Sequence, residues 1–256
     1  MPSDAAAAAE TLAALRQQID EVDSRLLAAI SERAQFAKLV GETKLAANPE
    51  VGGDPVHRPG REARLIRSLL DRHRGPMDKR ALYAVWRELI GASIALQKPL
   101  TIATSDTTME MTARLHFGTS QIYEWAATPI AAVAVGQADI GLFEVSDISA
   151  WQAAVDLMHV RDDCILLWRL PFTIPAGGWV AVGRGITENS SLDQTLFYTE
   201  DISVAENPVV ETVCASPEGG TILSISGEYS EVSLLAALGT DSAVQRLGQW
   251  PMPLEI

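Results

Sequence analysis

The sequence predicts a multidomain chain: an all-α part of three helices, one of them very long, followed by a small α/β region. Three observations carry this. From Leu12 the apolar residues run Leu12, Leu15, Ile19, Val22, Leu26 and Ala29 in steps of three and four, and resume with Phe36 and Val40 after one seam position that is not apolar, the period of one packed helix. Residues 1–98 hold 15 of the 20 Lys and Arg, while the remainder has five arginines and no lysine, so composition changes near Pro99. Beyond that point strand and helix patterns alternate, the texture of a layered sheet.

The elements follow in order. Residues 10–45 read as one helix of about 50 Å, preceded by an Ala5–Ala9 run expected to fray. Asn48 to Gly60, broken by Pro49, Gly52, Gly53, Pro55, Pro59 and Gly60, reads as a loop. Helical spacing resumes from Arg61 to His73 through Leu65, Leu69 and Leu70. Asp78 can cap a third helix, Lys79 to Gln97, with Leu82, Val85, Trp86, Leu89, Ile90 and Ile94 on one side. Three such helices do not enclose a compact core alone, and a long amphipathic helix usually pairs with its copy. Strands are expected at Leu100–Thr104, Ala138–Phe143, Ile165–Leu170, Gly178–Val182, Gln194–Thr199 and Thr221–Ser226. Helices are expected from Asp106 to Phe117, at Ile130–Gly136, Ala150–Met158, Ala205–Cys214 and Glu231–Leu238. The domains are placed at 1–98, 99–185 and 186–256.

Composition narrows the function. The net charge of −13 argues against a nucleic-acid partner. No apolar run approaches the roughly 20 residues that span a bilayer, and the start has neither the basic residues nor the apolar core of a signal peptide, so a cytoplasmic protein without membrane partners is expected. Cys164 and Cys214 are far apart, which suits a reducing compartment and suggests neither a disulfide framework nor a metal site.

One residue breaks the seam of the long helix. The position after Ala29 holds Arg33, and an inward guanidinium is costly unless an anion meets it. Lys44 lies eleven residues on, about three turns, and returns to nearly the same face. Arg33 could instead snorkel to water. Arg16 is 17 residues from Arg33, about 25 Å along the helix, so a small ligand touches both only if an antiparallel partner helix supplies one. Arg58 and Arg61 form an (i, i+3) pair beside Glu62, and Ser93 and Gln97 an (i, i+4) pair. His57 and His73 are isolated and expected to be solvated. The set holds cations, one carboxylate, one hydroxyl and one amide, with no nucleophile–base pair and no metal spacing. It suits a small dianion and a reaction that needs shape and charge.

Residues 12–98 resemble the all-helical chorismate mutases, including the mutase domain fused to prephenate dehydratase. The matching segments are Leu12-Ala-Ala-Leu-Arg16-Gln-Gln-Ile-Asp20, Ser31-Glu-Arg33, Val40-Gly-Glu-Thr-Lys44, Arg61-Glu62 and Ser93-Ile-Ala-Leu-Gln97. The resemblance implies an intertwined homodimer with shared active sites, chorismate as substrate, prephenate as product, and no cofactor. It implies a carboxylate clamp of Arg33 with Arg16 of the partner chain, assisted by Arg61. Lys44 and Gln97 would donate to the ether oxygen as the C–O bond breaks, Glu62 would hold the ring hydroxyl, and Ser93 would sit by a carboxylate. Where some members carry an aspartate three residues before Arg61, this chain has Arg58, which could gate entry or touch a carboxylate. The preceding loop, Asn48 to Pro55, looks longer. A lyase splitting pyruvate from isochorismate on the same scaffold is an alternative, as is a non-enzymatic assembly or regulatory protein.

The second half resembles part of prephenate dehydratase more weakly, through Gly136-Gln-Ala-Asp139-Ile-Gly141-Leu-Phe-Glu144-Val-Ser146 and Trp179-Val-Ala-Val-Gly183-Arg184. The tail from Gln194 to Pro251 looks like a shortened form of the small regulatory (ACT-like) domain. Thr104-Ser-Asp-Thr-Thr108 replaces the Gly-rich opening, and Ala176-Gly-Gly stands where the Thr-Arg-Phe motif belongs. Between Phe172 and Gly178 there is room for a turn but not a second lobe, so no dehydratase activity is expected. The half would then serve packing or assembly, or retain phenylalanine sensing.

Overall fold

A computed structural model describes residues 4–47, 57–174, 176–215, 220–239 and 243–256. The chain forms two compact units, residues 1–53 and 54–256. The first is helix α1 (Asp4–Ala47). It takes in the alanine run that was expected to fray, since alanine is the best helix former. The apolar seam stays exposed: Leu12, Leu15, Ile19, Val22, Leu26, Phe36 and Val40 are each between 44% and 59% accessible. The expected loop from Asn48 to Pro55 lies outside the described residues.

The second unit opens with α2 (Pro59–Arg72) and α3 (Lys79–Gln97). Pro59 suits the first turn of α2, where its missing N–H has no partner to lose. Asp78 caps α3 by accepting from Arg80 N–H at 2.8 Å. Then follow β1 (Thr101–Thr104), α4 (Thr107–Phe117), β2 (Ile122–Trp125), α5 (Pro129–Ala134), β3 (Ile140–Glu144), α6 (Ile148–Val160), β4 (Cys164–Leu170) and β5 (Trp179–Arg184). The five strands form one sheet in the order β2-β1-β3-β5-β4, with β1, β2 and β3 parallel and β5 antiparallel to both of its neighbours. Strands β4 and β5 make a hairpin, Leu170 pairing with Trp179.

The last stretch is β6 (Asp193–Thr199), α7 (Ile202–Ala205), β7 (Val210–Ala215), β8 (Thr221–Ser226), α8 (Glu231–Leu238) and β9 (Val244–Pro251). Its sheet, β7-β8-β6-β9, is antiparallel throughout. A βαββαβ order with the first and third strands central is the ferredoxin-like arrangement.

Two layers of core explain the assembly. Ala63 and Ile66 of α2, Ile90 and Ile94 of α3, and Phe117 of α4 cover one face of the first sheet around Ile102, Ile140 and Trp168. The other face, with Leu166 and Val182, packs on α6 through Trp151 and on the second sheet through Leu196 and Trp250. Leu196 and Phe197 alternate across β6, so Phe197 faces the opposite way onto Val204, Leu234 and Leu238. Trp151, Trp168 and Trp250 are fully buried, each worth roughly 4–6 kcal/mol of transfer free energy.

Several expectations change. Helices α2 and α3 find their core against the α/β sheet, so packing runs across the composition change at Pro99. The helix expected at Ala205–Cys214 is instead the end of α7 followed by strand β7, because Asn207-Pro208 breaks the helix and Val209, Val210, Thr212 and Val213 are β-branched. Strands β2 and β9 were not foreseen. His57, expected to be solvated, is fully buried.

Candidate active site

On α1 the spacing holds as read. Arg16, Arg33 and Lys44 all fall within one unbroken helix, which sets Arg16 and Arg33 about 25 Å apart. Arg16 is exposed. No pair of these residues can therefore clamp one small anion from a single copy of α1, Arg33 with Lys44 excepted.

In the second unit the α2 backbone splits neighbouring residues between two surroundings. Arg61 is exposed, whereas Glu62 faces the core beside Ala63 and Ile66. Arg87 Nη1 donates to Glu62 Oε2 at 2.9 Å, and both side chains are buried. His57 Nδ1 lies 3.2 Å from the other carboxylate oxygen. Trp168 Nε1–H donates to His57 Nε2 at 2.7 Å, so the ring accepts there and its proton sits on the nitrogen facing Glu62. Arg87 Nε donates to the His116 carbonyl, and Tyr83 Oη lies 3.3 Å from His116 Nδ1. Burial pushes the Glu62 carboxyl up, but His57 and Arg87 pull it further the other way, to about 2. Burial holds the His116 imidazole well below its ordinary range, with the Arg87 charge adding to it.

The remaining residues are placed as follows. Arg58 Nη2 donates to Glu188 Oε1, tying the start of α2 to the segment before β6. Arg67 holds the same segment through the carbonyls of Ser190 and Leu192, and the tail after β9 through that of Met252. Ser93 Oγ–H donates to the Leu89 carbonyl at 2.7 Å, and Gln97 Nε2–H donates to the Ser93 carbonyl at 3.2 Å. Gln97 and Ser93 thus stand together on α3, and Gln97 Oε1 is buried with no partner among the described residues.

Sequence reasoning missed Arg87 and placed His57 in solvent. The signal for Arg87 was present: it lies three residues before Ile90 and seven before Ile94, both buried, on the core face of α3. Glu62 carries the same signal, four and eight residues before Ile66 and Leu70. His57 carried none, because it precedes the helix and its burial depends on Trp168, over a hundred residues away.

A helical segment bearing cations and an amide is joined here to two α/β modules. The model of the chorismate mutase type II family matches residues 15–98. The bifunctional chorismate mutase/prephenate dehydratase of Stutzerimonas stutzeri is 28% identical over 255 residues, covering 94% of this chain and 67% of that protein. The protein of the same name from Pseudomonas aeruginosa is 32% identical over 54% of this chain and 40% of its own length. The chorismate mutase of Methanocaldococcus jannaschii is 36% identical over 35% of this chain and 86% of that protein. The chain belongs to the chorismate mutase family, a family of isomerases. It spans about two thirds of the Stutzerimonas relative and less than half of the Pseudomonas one.

Proposed function

We propose that the chain is a chorismate mutase, converting chorismate to prephenate by Claisen rearrangement. One observation carries the reading. Arg16, Arg33, Lys44, Arg61, Ser93 and Gln97 all fall, in order, inside the segment that matches the family. Arg33, Arg61 and the partner chain's Arg16 would hold the two substrate carboxylates. Lys44 and Gln97 would donate to the ether oxygen, where negative charge builds as the C–O bond breaks, so fixed donors there favour the transition state over the ground state. Half a turn of the Gln97 amide would present Nε2–H where the unpaired Oε1 now stands. Holding the substrate in its folded, diaxial form supplies the rest. Glu62 would accept from the ring hydroxyl with a carboxylate that already accepts from Arg87.

The two-chain site needs a dimer, and the exposed seam of α1 supports one, since a helix this apolar along one stripe is stable when a second copy covers it. For the remainder we propose a dehydratase-like module without dehydratase activity, followed by an ACT-like module. The Leu170–Trp179 hairpin, where a second lobe would have to be inserted, supports the first; the βαββαβ topology supports the second.

Purified protein mixed with chorismate tests the reading. Loss of its ultraviolet absorbance with prephenate as product is expected. Persistence of chorismate would favour the non-enzymatic alternative, and release of salicylate from isochorismate would favour the lyase.

A further inference from the structure

A cavity of about 380 Å³ opens in the first sheet, away from every residue of the proposed mutase site and bordered by the Thr104–Thr108 and Glu144 stretches. It lies at the carboxyl ends of β1 and β3, between Asp106 and Glu144. The chain leaves β1 through α4 to reach β2 on one side, then returns through α5 to β3 on the other. That is a point where the winding of an open α/β sheet reverses, and ligands enter such sheets there. Its volume falls within the roughly 300–1,000 Å³ of small-molecule sites.

The lining decides what fits. Met109, Leu142 and Phe143 are buried and give it apolar walls, while Asp106, Glu144 and Asp147 stand at the rim; among the described residues no Lys, Arg or His lines it. The N-termini of α4 and α6, which could cradle an anion, are already filled. Asp106 accepts from the N–H groups of Thr108 and Met109 at 2.7 and 2.9 Å. Asp147 accepts from those of Ser149 and Ala150, both at 3.0 Å. The start of α5, which carries no side-chain cap, also borders the cavity, but a carboxylate ligand would still meet three negative charges there. Glu144 accepts only a 3.3 Å contact from Ser146 Oγ–H among the described residues, which leaves its charge available to a cation. Acids at a rim alone would be a solvated edge; the walled cavity beneath them makes a site.

We propose that this cavity binds a small organic amine, its apolar body against Met109, Leu142 and Phe143 and its ammonium at Glu144. The proposal is independent of the mutase reading. Calorimetry on the full chain with phenethylamine and its acidic counterpart, 3-phenylpropionate, tests it. Saturable binding of the amine and none of the acid is expected. Glu144→Gln, a change at an exposed position, should weaken the amine roughly tenfold or more, since a charge-assisted contact is worth about 1.5–3 kcal/mol. Ala150→Leu, which fills the cavity, should abolish binding while leaving the far-ultraviolet dichroism unchanged. Binding of the acid as tightly as the amine, absence of saturable amine binding, or amine binding indifferent to both substitutions would overturn the proposal.

Discussion

Glu62 and Arg87, 25 residues apart in the chain, meet at 2.9 Å as a buried ion pair between α2 and α3. The pair shows what an inward arginine means when its counter-ion is in the same chain: it pins two helices together. Removing one member leaves the other buried and uncompensated, which costs about 3–5 kcal/mol. Arg87→Met should lower unfolding stability by that amount in urea titrations. The double variant Glu62→Gln, Arg87→Met should recover part of the loss, because neither charge then remains in the core. A single variant as stable as the parent would show that the pair contributes nothing.

Acid should act through the same carboxylate. Burial raises the Glu62 carboxyl and the surrounding His57 and Arg87 lower it more, to about 2 from an ordinary 4.5. The folded value lies below the unfolded one. The stabilisation is therefore fully present above pH 4.5 and is lost as pH falls from there towards 2, on the order of 3 kcal/mol in all. Urea midpoints measured between pH 6 and pH 2.5 should fall more steeply for the parent than for Glu62→Gln. Parallel curves would remove Glu62 from the account of acid unfolding.

The same two residues mark how far the sequence could be read. Helices α1, α2 and α3 were legible because their apolar residues recur at helical spacing, and Asp78 and Asp106 announced two helix starts. Strand β9 was not, because Arg246, Leu247, Gly248 and Gln249 do not alternate cleanly and the strand bulges against β6 between Leu196 and Phe197. Strand β2 exposes most of its residues, so it carries no apolar stripe to find. At the site, Arg33 drew attention as a charge in a seam, while Arg87 breaks the α3 stripe in the same way and passed unnoticed. The sequence shows that a charge faces inward; only the fold shows which charge answers it. For Arg87 the answer is Glu62.

Close helix packing beside this pair gives a third expectation. A Cβ added at Gly91 would stand 2.2 Å from the Phe117 carbonyl oxygen and 3.0 Å from Gly118 Cα. Those are backbone atoms that cannot rotate away, so Gly91→Ala must push α3 off the end of α4. A cost of about 1–3 kcal/mol follows, seen as a fall in Tm of roughly 2–4 °C per kcal/mol for a unit of this size. Arg87 Nε donates to the carbonyl of His116, the residue before Phe117, so the effects of Gly91→Ala and Arg87→Met should not add. A Gly91→Ala protein with unchanged Tm would mean that the two helices can part freely.

The mutase reading makes its sharpest demand on α1. Arg16 and Arg33 lie about 25 Å apart on one rigid helix, so a site using both takes Arg16 from one chain and Arg33 with Lys44 from the other. Arg16→Ala and Lys44→Ala should each lose about 10²–10³ in kcat/KM, the usual result of deleting one charge-assisted donor. In a mixed dimer the two lesions fall in the same site: the Arg16→Ala chain keeps its own Lys44 and receives Arg16 from its partner. The other site carries both defects. When equal amounts exchange at random, about half the dimers are mixed and each has one intact site of two, so activity should return to about a quarter of the parent's. Mass spectrometry of the mixture counts the mixed dimers. Mixed dimers without recovered activity would place Arg16 and Lys44 in the same chain's site, or outside it altogether.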